Sequence, residues 1–109
     1  MALDFVMLDD AGLAARADGV SVYLDEHEAL MALALTSACQ LVYRCHDYWS
    51  DVVFETGDLK EFAAECERLV VAVPASHPHA ADLVTLIGKL RDLASRARQR
   101  GYRLQGVAD

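Results

Sequence analysis

The stretch Gly19-Val20-Ser21-Val22-Tyr23-Leu24-Asp25-Glu26-His27-Glu28-Ala29-Leu30 decides the fold class, because the hydrophobic period changes within it. Val20, Val22 and Leu24 alternate with Ser21, Tyr23 and Asp25, the period of two expected of a strand with one buried face. Beyond Asp25 the period lengthens. Leu30, Leu33, Ala34, Ser37 and Leu41 trace one helical stripe, and Met31, Leu35, Ala38 and Val42 widen it, which implies burial on more than one side. Asp25 followed three residues later by Glu28 has the spacing of a capping box, so a helix is expected to begin after Asp25 and to end between Cys39 and Tyr43.

Toward the N-terminus, Leu3, Phe5 and Met7 alternate with residues that include Asp4, predicting a strand over Ala2 to Leu8 and then a turn at Asp9, Asp10 and Gly12. The two strands are expected to pair as an antiparallel hairpin with a long connection. Toward the C-terminus, Arg44 to Phe54 has no clear period; Val52 to Phe54 suits a short strand, and Tyr48-Trp49 a corner. Asp58 and Glu61 repeat the capping spacing after Gly57. Leu59, Phe62, Ala63, Cys66, Leu69, Val70 and Val73 then follow helical spacing up to Pro74. After a loop at Ala75–His79, Leu83, Leu86, Ile87, Leu90, Leu93, Ala94 and Ala97 form a third stripe, which Gly101 is placed to cap. Tyr102 to Val107 reads as a last strand. The fold expected is α+β, with residues 1–109 as a single domain. A small mixed or antiparallel sheet, built from the N-terminal hairpin, the C-terminal strand and a short strand near 52–55, carries about three helices.

The composition narrows the function. An apolar share of 54% supplies a core, and a formal net charge of −7 argues against a nucleic-acid binder, which needs basic surface to displace counterions. Residues 1–67 hold 14 acids against 3 bases, and residues 68–109 hold 3 against 7, so an acidic face and a basic edge are expected. Cys39, Cys45 and Cys66 are odd in number and lie among apolar residues, as reduced core thiols do; the opening residues lack a signal pattern and no run suits a membrane helix. The cytoplasm is the expected location.

Candidate chemistry is sparse. Cys45, His46 and Asp47 adjoin, but neighbours on a strand point to opposite faces and neighbours on a helix diverge by about 100°. The cysteines lack metal-ligand spacing, His77 and His79 flank a proline in a loop, and the six glycines form no phosphate loop, so no metal or cofactor is expected. Arg91, Arg96, Arg98, Arg100 and Arg103 are explained by the negative end of the third helix. Asp47, Asp51, Glu55 and Asp58 around Tyr48, Trp49 and Phe54 resemble a binding epitope more than a paired-carboxylate active site. The expected site is therefore a partner-binding surface of Asp47, Tyr48, Trp49, Asp51 and Glu55 for a basic protein, on a chain that is not an enzyme. The alternative is a small-ligand-binding or regulatory domain with a pocket between sheet and helices. The wide apolar arc of the first helix also suits cover by a second subunit in a symmetric homodimer.

One resemblance adds to this reading. The string Arg44-x-x-Asp47-Tyr48-Trp49-x-Asp51-x-x-Phe54-Glu55 and the helix from Leu59 to Leu69 resemble a set of small acidic bacterial α+β proteins. The opening Leu3-Asp4-Phe5 and the closing Gly-x-x-Leu-x-Gly at 101–106 fit the same outline; Trp49 departs from it, standing where a second tyrosine is expected. By analogy of size and acidity, the resemblance implies an immunity or antitoxin type of protein that neutralises a partner by binding it.

Overall fold

The computed structural model describes residues 2–108, apart from the side chains of residues 15–17. In chain order the elements are β1 (Leu3–Leu8), β2 (Ala14–Val22), α1 (Leu24–Thr36), the single turn α2 (Gln40–Tyr43), β3 (Val52–Phe54), a 3-10 turn (Thr56–Asp58), α3 (Leu59–Ala72), α4 (Ala80–Gln99) and β4 (Arg103–Ala108). The strands form one antiparallel sheet in the order β2-β1-β4-β3, so the last strand enters between the first and the third. The expected hairpin forms with a shorter loop than the sequence suggested, because β2 starts at Ala14. Its turn is held by Asp9, whose Oδ1 accepts the Ala11 and Leu13 N–H groups at 2.9 Å each. The register then breaks between the Phe5–Val20 and Met7–Ala15 pairs, so residues 16–19 bulge opposite Val6.

One face of the sheet carries the helices. Leu3, Phe5, Met7, Val20, Val22, Phe54 and Leu104 join Leu30, Ala34, Phe62, Leu69, Ile87, Leu90 and Leu93 in a continuous core. Alternation on β1 sets Asp4, Val6 and Leu8 on the other face, where Val6 and Leu8 are buried as well. Helices α3 and α4 follow the expected stripes closely, and Gly101 caps α4. With φ +70° at Gly101, the Gly101 N–H donates to the Arg98 carbonyl at 3.1 Å and the Tyr102 N–H to the Ala97 carbonyl at 2.8 Å, a Schellman ending. Among the described residues no helix is long and apolar enough to cross a membrane.

Three local expectations are corrected. Helix α1 starts before Asp25: the Tyr23 N–H donates to Glu26 Oε1 at 3.2 Å, so Glu26 takes the part assigned to Glu28. Asp58 stands at the N-cap position of α3 with a helical backbone and no capping bond, and its carboxylate instead lies 3.8 Å from Arg44. Helix α1 also ends earlier than its stripe suggested. Ala38 adopts φ +55°, with the Ala38 N–H donating to the Leu35 carbonyl at 3.4 Å and the Cys39 N–H to the Ala34 carbonyl at 2.8 Å. This is the same ending as that of α4, built without glycine. Leu41 and Val42 consequently belong to α2, and Leu35 faces solvent.

Two substitutions test this backbone. Left-handed backbone is costly for alanine and free for glycine, so Ala38→Gly should stabilise the fold by about 1 kcal/mol in urea unfolding. Gly106→Ala should do the reverse. A Cβ there would lie 2.9 Å from Val52 Cγ1 and 3.3 Å from Phe5 Cε1, and such overpacking costs about 1–3 kcal/mol.

Candidate functional site

The irregular segment between α1 and β3 is held from beneath by two buried polar side chains. Glu65 of α3, 3% exposed, accepts the Val42 N–H at 2.9 Å through Oε1 and the Leu41 N–H at 3.2 Å through Oε2. These are among the first amides of α2, which have no partner within their own turn, and a carboxylate suits the positive end of a helix. His27 of α1, 5% exposed, lies 2.6 Å through Nε2 from the Cys45 carbonyl. A carbonyl can only accept, so Nε2 carries the proton. The Tyr48 ring meets the His27 ring edge-on at 5.0 Å and is itself buried.

Above this foundation the chain turns outward. Asp47 Oδ2 accepts the Ser50 hydroxyl at 2.7 Å and Oδ1 the Trp49 N–H at 3.0 Å; those two bonds, the Ser50 one first, hold the Asp47 carboxyl below the usual carboxylate range. Asp51 Oδ1 accepts the Ala108 N–H at 2.8 Å, extending the β3–β4 ladder by one side-chain rung. Between these anchors Trp49 is 60% exposed, its ring edge-on to Tyr48 at 5.1 Å. The backbone on both sides of the indole is thus fixed by hydrogen bonds, and the residue stays mostly exposed.

The structure therefore divides the expected surface. Asp47, Trp49 and Asp51 gather at one corner, with Tyr48 beneath them as the anchor rather than as an exposed partner of Trp49. Glu55 belongs elsewhere. It follows β3, about 13 Å from Asp51 along an extended strand, and with Asp9, Asp10 and Arg103 it lines a separate cavity of about 320 Å³ at the far end of the sheet. The seam between sheet and helices is filled by Phe5, Phe54, Phe62 and Leu104.

Cys45, His46 and Asp47 do not converge. The Cys45 thiol is buried, and burial pushes its pKa up to about 12. His46 stacks on Tyr43 at 5.3 Å, with Nδ1 3.1 Å from the Tyr43 carbonyl. Burial, reinforced by Glu65, likewise pushes the Cys66 thiol up to about 12, and burial raises Cys39 despite the Arg68 guanidinium 3.7 Å from its sulfur. Among the described residues no three or more His, Cys, Asp or Glu side chains are grouped to hold a metal ion. The basic group is dispersed: Arg96 pairs with Asp18 at 3.6 Å, and Arg91 with Asp92 at 3.3 Å.

Sequence reasoning missed Glu65 and His27, and gave Arg44 a place in a resembling string without a role. Glu65 lies on the buried arc of α3 one turn from both Phe62 and Leu69, and His27 one turn before Leu30; a polar residue on an apolar stripe was the available signal. Arg44 donates to the Val53 carbonyl at 2.9 Å while its guanidinium covers the Phe54 ring at 4.7 Å, an arrangement that leaves no trace in spacing. Compared with family models, curated proteins and solved structures, the chain matches none.

Glu65→Ala should cost about 2–4 kcal/mol in denaturant unfolding, because two charge-assisted bonds vanish and the Val42 amide is left buried and unpaired. The three thiols should resist iodoacetamide at neutral pH and react fully only in denaturant, since the thiolate is the reactive form. Rapid labelling of native Cys45 would contradict the geometry given above.

Proposed function

We propose that this chain is a non-catalytic protein-binding module of the immunity or antitoxin kind, which meets a basic partner at the Trp49 corner. The observation that carries the reading is a tryptophan 60% exposed on a backbone already immobilised by Asp47, Asp51 and the buried Tyr48. An aromatic presented rigidly loses little conformational freedom on binding, and tryptophan is the residue type most enriched among interface anchors. The acidic excess supports a basic partner: a net charge of −7 steers such a protein toward the surface at low salt, and the steering fades as salt screens it.

The two aspartates have a double role in this reading. Asp47 spends both oxygens on Trp49 and Ser50 and Asp51 one on Ala108, so removing either aspartate would disturb the fold together with the binding surface. Trp49→Ala is the cleaner test, because the indole is mostly outside the core. The wild-type protein, immobilised and exposed at low salt to lysate of its source cells, should retain a basic protein, and Trp49→Ala should bind that protein about 30-fold more weakly, the loss of roughly 2 kcal/mol expected of an anchor. Emission from the single tryptophan should shift to shorter wavelength on binding. Equal capture by both proteins, with unchanged circular dichroism, would end this reading.

A further inference from the structure

The two edges of the sheet are treated differently. At β3 the strand is only three residues long, and Arg44 caps the Val53 carbonyl, two devices that discourage further pairing. The opposite edge, β2, pairs only with β1 among the described strands, so alternate N–H and C=O groups along Val20–Val22, beyond the bulge, point away from the sheet. Beside that edge runs a groove. Gly19, Val20 and Ser21 form one wall, and Asp82, Thr85, Leu86 and Lys89, a single face of α4, form the other, around a volume of about 420 Å³. It continues past Tyr23 into a second cavity of about 380 Å³, bordered by Asp25, Glu26, His77, His79 and Asp82.

A strand edge facing a helix across a groove is the arrangement in which an extended peptide adds to a sheet, main-chain bonds giving affinity and alternate side chains entering the groove. The charges choose the occupant. Asp25, Glu26 and Asp82 surround Tyr23, whose ring is 57% exposed, and three carboxylates about an open aromatic suit a cationic side chain. A second copy of this chain, paired β2 to β2 about a twofold axis, would bring the same carboxylates toward one another on a molecule already at −7. We infer that the groove between β2 and α4 receives an extended peptide segment bearing a lysine or arginine, added to the sheet beside Val20–Val22 with its cation over Tyr23 between Glu26 and Asp82. This surface is separate from the Trp49 corner and does not depend on it.

A random decapeptide library displayed on phage and panned on the immobilised protein at low salt supplies the probe. Enriched peptides should share one basic position in an extended frame. A synthetic copy should perturb the backbone amides of Gly19, Ser21 and Val22 in the 15N-labelled protein, and should bind the Glu26→Gln/Asp82→Asn variant roughly tenfold more weakly. The glutamine keeps the oxygen that accepts the Tyr23 N–H, and Asp82 is exposed, so the variant retains the start of α1. Failure to enrich any binder, a basic position absent from the enriched set, equal affinity for the variant, or perturbation confined to residues 47–51 would each overturn the inference. So would perturbation of residues 19–22 on concentrating the protein alone, which would assign the edge to a second copy. Capture through Trp49 is read on different residues and with a different probe, so either reading can fail without the other.

Discussion

The carboxylate of Glu65 is the interaction on which the irregular segment between α1 and β3 depends. An ionised carboxylate in the core is costly unless its oxygens are occupied, and here they take the amides of Leu41 and Val42, which lack partners within α2. Two deficits cancel, and the cancellation is geometric: it operates only when α2 sits over the middle of α3. His27 makes a second attachment a few residues later, at the Cys45 carbonyl. The chain from Ala38 to Asp51 has little regular structure, so these two tethers do for it what a ladder of hydrogen bonds does for a strand. Tyr48 packs on His27, Trp49 leans on Tyr48, and the surface is thereby fixed from the core outward.

A second constraint is topological. Because β4 is the last element and lies between β1 and β3, neither of the central strands can pair with a newcomer, and only β2 and β3 remain as edges. Arg44 closes one of them while covering Phe54, so a single side chain completes the core and blunts the edge. At the other edge the bulge at residues 16–19 bends the strand, but Val20–Val22 stays aligned beside α4. Asp51 matters in the same way, since its carboxylate supplies the rung that β3 is too short to provide for Ala108.

How much of this was legible follows from what each feature leaves in a sequence. Alternation at Val20 and Val22 and the long stripe from Leu83 to Ala97 come from burial on one face, and periodicity reports such burial directly. Strands β1, β3 and β4 and helices α3 and α4 stand close to where the sequence put them, whereas β2 begins at Ala14 and Leu24, expected in that strand, opens α1 and is exposed. The early end of α1 was illegible because Ala38 adopts a left-handed backbone without glycine, the usual marker. Its stripe continued smoothly into Leu41 and Val42, residues that pack into the same core from another element. The site was half legible. Asp47, Trp49 and Asp51 lie close together, as their proximity in sequence suggested, whereas four residues of extended chain carry Glu55 to the other end of the sheet. Glu65 and His27 were hidden by the habit of reading a stripe only for its apolar members.

The polar groups that first suggest chemistry are those already engaged in holding the fold. Asp47 spends its oxygens on Trp49 and Ser50, Asp51 an oxygen on Ala108, Glu65 both of its oxygens on α2, and His46 turns a nitrogen toward the Tyr43 carbonyl. Burial raises the pKa values of the thiols further above neutrality, so they stay protonated. Capacity for new interactions is concentrated in two other features: the indole face of Trp49 and the main-chain edge of β2 with the carboxylates beside it. In the readings proposed above both act by contact, the first through buried area and the second through backbone pairing. A surface organised in this way can recognise a partner without first rearranging, because the cost of ordering it was met when the chain folded.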